Sequence, residues 1–202
     1  MSEDTLRIVS LNGLLGYGYP RESLQRALAM EPDLLGVDAG STDPGPYYLG
    51  AGESFVSDAQ VRSDLEPALC AAVEHGLPLI VGTAGGSGGA PHLEGLLAIV
   101  REIAARRGLR FRMAVIPAEV PQATVLEALR EGRVTSCGPA HRLTEEHVRA
   151  CTRIVGQMGT EPLIEALDGG AQVVIAARCC DAGIFAAEPI RRGFDPGLAL
   201  HM

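Results

Sequence analysis

The sequence predicts an α/β fold in three layers, with a mostly parallel sheet of about five strands and helices on both of its faces. Three observations predict it. Short apolar runs rich in valine, isoleucine and leucine alternate along the chain with segments whose apolar residues recur at helical spacing. Those runs lack the in-and-out alternation of a strand with one wet face, so they belong in a sheet buried on both sides. Glycine, proline and polar residues separate the segments, and 202 residues with 47% hydrophobic content suffice for one compact core.

The elements follow in order. Leu6 to Leu11 reads as the first strand, and Asn12-Gly13 with Gly16, Gly18 and Pro20 as a glycine-rich turn. Pro20 suits a helix start; Leu24, Ala27, Leu28 and Met30 supply an apolar face, and Pro32 stops it. Leu34 to Val37 is a buried strand ended by Asp38. Gly40, Pro44, Gly45 and Pro46 then argue against a helix, so Ser41, Thr42, Asp43, Tyr47 and Tyr48 are expected on a bent loop. Ser57 and Gln60 have capping-box spacing and open a helix with Val61, Leu65, Ala68, Leu69, Ala72 and Val73 on one face, closed by His75-Gly76. Leu77 to Val81 is the third strand and runs into GTAGGSGG, Gly82 to Gly89. A helix from about Pro91 to Arg107 comes next, with His92 in its first turn expected to be solvated. Phe111 to Ile116 is the fourth strand, ended by Pro117-Ala118-Glu119. Helices over Gln122 to Arg130, from Thr144, and from Thr160-Glu161-Pro162 to Gly169-Gly170 lead to the fifth strand, Ala171 to Ala177. Arg178 and Asp181 follow it, and the pattern leaves the strand order open.

Composition excludes several function classes. A net charge of -8 argues against a sequence-independent grip on nucleic acid or on an anionic membrane, because both need a basic surface. All 17 basic residues are arginine, so a Schiff-base lysine, an internal aldimine with pyridoxal phosphate and a P-loop lysine are impossible from this chain alone. The start, MSEDTLRIVS, has no positive segment leading into an apolar core, and no apolar run reaches membrane-spanning length. Cys70, Cys137, Cys151, Cys179 and Cys180 are odd in number and have no CxxC spacing, which points to reduced thiols and a cytoplasmic setting. Cys137 has His141 near it in sequence, but that is not the spatial pairing that activates a thiol.

In open parallel sheets ligands bind beyond the carboxyl ends of the strands. Asn12, Asp38, Thr83, Glu119 and Arg178 all fall just after predicted strands, and their convergence marks the expected site. Asp38, Asp43 and Glu119 are the candidate general acids or bases, since a carboxyl in a partly dry crevice has its pKa raised toward neutrality. Ser41, Thr42 and Tyr48 would orient a substrate. The turn carrying Thr83, Gly85, Gly86 and Ser87 precedes a helix N-terminus, where backbone N-H groups favour a carboxylate or phosphate, and Arg178 would complement it. Arg178 and Asp181 equally suit a salt bridge that only fixes their loop. Asp38 and Asp43 among hydroxyls resemble a magnesium site, but without a histidine cluster no metal and no cofactor is assigned.

Together GVDAGSTDPGPYYLG, GTAGGSGG, QMGTEPLIEALDGGAQVVIAARCCDAGIF and Asn12-Gly13 resemble the acyclic terpene utilisation AtuA-like proteins. The resemblance implies an α/β fold and a setting in the breakdown of branched acids or their acyl-CoA thioesters, with lyase-like labels among relatives. Such proteins look longer, so this chain is expected to match their N-terminal portion, one α/β domain working as a homo-oligomer or with a second subunit.

The leading expectation is a lyase or hydratase acting on a small carboxylic acid or its CoA thioester. A second reading takes DAGST as similar to the phosphate-binding turn of actin- and hexokinase-like ATPases, although there the turn joins strands of a β-meander. A third is a non-catalytic subunit whose site a partner chain completes.

Overall fold

The computed structural model describes residues 5–40, 45–138 and 142–201. In chain order the elements are β1 (Ile8–Ser10), α1 (Arg21–Leu28), β2 (Leu34–Asp38), α2 (Tyr47–Ala51), α3 (Asp58–His75), β3 (Leu79–Gly82), α4 (Ala90–Arg107), β4 (Met113–Ile116), α5 (Gln122–Arg130), α6 (Glu145–Ala150), α7 (Glu161–Asp168), β5 (Val173–Ala176), α8 (Asp181–Arg191) and α9 (Pro196–Ala199). The five strands form one sheet, every pair parallel, in the order β1-β2-β3-β5-β4.

Alternation along the strands divides the core into two layers. Leu35, Val37, Leu79, Val81, Val173 and Ile175 face α3 and α4 with their Leu65, Leu69, Leu97 and Ile103. Leu34, Ile80, Val174 and Ala176 face the other way, onto Leu163 and Leu167 of α7 and Ile184 of α8. Both faces being covered explains why the strands read as unbroken apolar runs.

Local signals act as the residue types demand. Ser57 and Gln60 form a reciprocal capping box at α3, and Gly76 closes that helix in the left-handed region at φ 68. Pro67 lies inside α3 and cannot donate to the Ser63 carbonyl; the Arg21 guanidinium donates to that carbonyl at 2.9 Å instead.

Two stretches differ from expectation. Tyr47 and Tyr48 are in α2 and not on an irregular loop. Proline obstructs a helix that precedes it, whereas here Pro46 is the N-cap of the helix and Gly52 its left-handed C-cap. DAGIFAAEPIR forms α8, with Asp181 in its first turn, a helix absent from the elements expected after the fifth strand.

The order of the strands fixes where a ligand can enter. From β1 to β3 the sheet grows in one direction, and the chain leaves β3 toward α4. The return from β4 to β5 runs backwards, and β5 is left toward α8, which packs on β2 and β3 from the other face. Neighbouring strands β3 and β5 thus send their exits to opposite sides, which makes their carboxyl ends the switch point of the sheet.

Candidate functional site

Three strand exits are knitted together at the switch point. Asp38 ends β2 and stands in register beside Gly82 of β3, and the Ala39 amide donates to the Gly82 carbonyl at 2.9 Å. Thr83 follows with φ 45 and ψ 52, left-handed values that a β-branched residue adopts only under constraint. Its hydroxyl oxygen lies 3.2 Å from the Cys179 carbonyl and accepts from the Cys179 amide at 3.3 Å, tying the β3 exit to the β5 exit. A Cβ at Gly40 would overlap the Thr83 side chain, and one at Gly88 would overlap the Arg178 backbone. Only glycine allows these approaches. Residues 38–40, 83–88 and 177–181 therefore form one closely packed floor.

On that floor Asp38 is 9% exposed. Burial pushes its carboxyl up from 3.8 to about 6, and the neighbouring Asp181 adds to the rise. The Gly40 amide, which donates to Oδ1 at 3.1 Å, works against it, as do the Thr83 hydroxyl and the Arg178 charge. A carboxyl so placed exists in both protonation states near neutral pH. Arg178 is half-buried, and its guanidinium has no ion pair or hydrogen bond among the described residues. The Ser87 hydroxyl and the Asp181 carboxylate likewise make no hydrogen bond there, although Ser87 is 8% exposed. Among the described residues, Ser87, Arg178 and Asp181 thus bring side-chain groups without a hydrogen-bond partner to the switch point, whereas the fully buried orphan atoms lie elsewhere, on Asn12, Arg62, His92 and Arg153. Cys179 is no nucleophile here, since burial pushes its thiol up to about 12.

The other expected residues are placed differently. Asn12 donates to Asp64 Oδ2 at 2.9 Å, and that same oxygen accepts from the amides of Gly16 at 2.8 Å and Gly18 at 2.9 Å. Asn12 is therefore part of the scaffold of the first glycine-rich turn. Glu119 accepts from the Ala90 amide at 2.7 Å and pairs with Arg153 at 3.5 Å. It caps the N-terminus of α4, so the N-terminal amide expected to receive a ligand anion already holds a carboxylate of the protein. Pro91, the next residue, has no N-H to offer. Gly85 and Gly86 form the turn after Thr83, both at positive φ. Tyr48 stacks edge-on against Phe55 at 5.4 Å and Tyr47 at 5.3 Å. Ser41, Thr42, Asp43 and His141 lie outside the described residues.

Two buried polar supports of the scaffold lie outside what the residue pattern predicts. Asp64 was one; a carboxylate spaced i+3 from Val61 and i-4 from Ala68 on an apolar helix face was the signal available. His92 was the other, and it is buried where a solvated residue was expected, with 1% exposure. Its Nε2 lies 3.1 Å from the Tyr48 carbonyl and 2.9 Å from the Glu53 carbonyl. Two carbonyls require Nε2 to carry the proton, so His92 pins α2 and the segment after it onto α4.

Hollows differ in what lines them. A cavity of about 20 Å³ beside the site is lined by Leu15, Ala39, Val56, Gly86, Gly95 and Leu96, room for roughly one water-sized group. A larger hollow of about 390 Å³, between β4 and α7, is lined by none of the switch-point groups.

Fold and site together define an open α/β protein with a wholly parallel sheet, a buried carboxyl and, at its switch point, an arginine that has no ion pair among the described residues. A family model described as acyclic terpene utilisation family protein AtuA matches residues 54–191. That is more than half of the chain, and the chain belongs to this family. The matched stretch carries Thr83, Ser87, Arg178 and Asp181, while Asp38 precedes it. No curated protein and no solved structure matches the chain. Among the described residues no helix is long and apolar enough to cross a membrane.

Proposed function

We propose that this chain is an enzyme of small-acid or acyl-CoA catabolism, of lyase or hydratase type, using Asp38 to move a proton at the substrate. The observation that carries the reading is a buried carboxyl, poised at about 6, beside an arginine with no ion pair or hydrogen bond of its guanidinium among the described residues. A proton α to a thioester or carboxylate carbonyl is acidic enough for such a carboxylate to remove once the enolate oxygen is stabilised. Arg178 and Ser87 supply that stabilisation, or hold a carboxylate on the substrate. Asp181, in the first turn of α8, is the second carboxyl within electrostatic reach of Asp38. Elimination then expels the β-substituent, a hydroxyl taking a proton from solvent and leaving as water, while Asp38 keeps the α-proton until it returns it to solvent; hydration is the reverse. Membership of a family described by acyclic terpene utilisation supports a catabolic role and a branched, apolar acid as substrate.

The ATPase-like reading loses its geometric basis. Its phosphate-binding turn joins antiparallel strands, whereas β2 pairs only with parallel neighbours.

Thermal melting tests the proposal against a panel of CoA thioesters, free branched acids, ATP with magnesium, and buffer. A ligand that binds the native state raises the melting temperature by mass action. We expect a rise with an acid or acyl-CoA that is largely lost in Arg178→Gln, whose unliganded form melts as the wild type does. A rise confined to ATP with magnesium, or none with any ligand, would sink the reading.

A further inference from the structure

We propose that Thr83 is a positioning residue whose single hydroxyl proton has two destinations, the Asp38 carboxylate when it is ionised and the Cys179 carbonyl when Asp38 holds a proton. This rests on Asp38 being the proton-transfer group proposed above. Three observations place the hydroxyl where it can act so. Its oxygen already accepts from the Cys179 amide at 3.3 Å, which leaves its own proton free to choose an acceptor. One acceptor, the Cys179 carbonyl, lies at 3.2 Å; the other, the Asp38 carboxylate, accepts at Oδ1 from the amide of Gly40, against whose Cα the Thr83 side chain packs, and the Thr83 hydroxyl favours its ionised form.

The third observation is that the oxygen cannot leave. The Thr83 methyl fills the space that Gly40 leaves without a Cβ, so rotation about χ1 is blocked and only the O-H bond is free to turn. The chain tolerates a β-branched residue at φ 45, 1% exposed, where glycine or asparagine would be unstrained. A turn needing only the left-handed conformation has no use for threonine.

Other groups facing Asp38 do not supply this function. Asp181 disfavours its ionised form, Arg178 favours it through charge without a hydrogen bond, the Gly40 amide donates in both states, and the Cys179 thiol is buried and protonated. Among the described residues only Thr83 changes its donor direction with the state of Asp38. No proton leaves the hydroxyl in the cycle. The proton taken from the substrate stays on Asp38, and the Thr83 O-H turns away to accommodate it.

Carbon-13 NMR of the side-chain carboxyls gives the test. In Thr83→Val, which keeps the shape and loses the hydroxyl, the Asp38 midpoint moves up by about one pH unit. In Thr83→Ser, which keeps the hydroxyl without the methyl that pins it, the move is smaller. In the wild type the Cys179 carbonyl carbon and the Thr83 methyl shift with the Asp38 midpoint, a measurement needing no variant to fold. A folded Thr83→Val with an unmoved Asp38 midpoint, or Cys179 and Thr83 signals flat through the Asp38 titration, overturns the proposal and leaves Thr83 a mere brace between β3 and β5. Neither readout involves turnover, so an inactive protein with coupled titrations would reject the enzymatic reading alone.

Discussion

Two glycine-rich turns leave this sheet at its carboxyl end, and they have opposite fates. After β1, Gly16 and Gly18 aim their amides at one oxygen of Asp64, and Asn12 adds a third donor. After β3, the Gly82–Gly89 turn is held by backbone packing and by Thr83, and among the described residues neither the Ser87 hydroxyl nor the Arg178 guanidinium has a partner. The first turn is an anion site filled by the protein itself. The second remains open, and the contrast teaches that clustered glycines make a cradle while the distribution of carboxylates decides whether a ligand is needed to fill it.

The sharpest way to break this comparison is to empty the filled turn. Asp64 is 6% exposed, and Asp64→Ala leaves two amides and the Asn12 side chain without their acceptor. Each unmet donor costs on the order of 1 to 3 kcal/mol, so the variant should lose about 4 kcal/mol. In a chain of this length that is a fall of about 10 °C or more in melting temperature. Tyr19, whose hydroxyl donates to the Asp64 carbonyl at 2.7 Å, would not replace the lost acceptor; burial pushes its phenol up to about 12, and it stays a donor. A melting temperature within two or three degrees of wild type would show that the first turn does not depend on its internal anion.

The open turn should respond with the opposite sign. The folded-state carboxyl of Asp38 is raised from 3.8 to about 6, so the folded chain binds the proton more tightly than the unfolded one. Stability is then fully present below about 4, falls as pH rises through about 6, and is lower by roughly 3 kcal/mol above that. Asp38→Asn keeps an acceptor for the Gly40 amide and removes the charge. It should melt higher than wild type at pH 8, by several degrees, with the gain vanishing near pH 4. Turnover in the same variant should fall by about two to four orders of magnitude. Wild-type turnover should rise with pH through about 6, because the base must be ionised. A variant that is neither more stable at pH 8 nor less active would remove Asp38 from the site.

The contrast between the two turns also marks the limit of what the residue order discloses. Apolar runs, capping boxes and the convergence of Asn12, Asp38, Thr83, Glu119 and Arg178 at one end of the sheet follow from local chemistry and from parallel strands having all their exits on one side. Strand order does not, because placing β5 between β3 and β4 is a packing choice among helices distant in sequence. The same distance hid the fates of the candidates. Asn12 meets Asp64 through its Nδ2 across 52 residues and Glu119 meets Ala90 across 29, so nothing beside them in the chain shows that these groups already have partners within the protein. His92 departs from expectation for the same reason: a first-turn position invites water, but the carbonyls of Tyr48 and Glu53 come down on it from another segment.

Glu119 offers the finest test, because it sits between the two cases. It closes the N-terminus of α4, directly after the open turn, yet its side chain is 31% exposed and its partner Arg153 26%. A carboxylate there gains from the helix dipole and from one charge-assisted hydrogen bond, together about 1 kcal/mol at such exposure. Glu119→Gln keeps the acceptor and removes the charge, so the melting temperature should fall by only two to four degrees. If Glu119 belongs to the filled class with Asp64, the ligand-induced rise in melting temperature should match that of wild type. A stronger response to an anionic ligand in Glu119→Gln would mean that Glu119 competes with the ligand for the Ala90 amide. The α4 N-terminus would then join Ser87 and Arg178 in the open site, and the division between the two turns would be one of occupancy and no longer one of architecture.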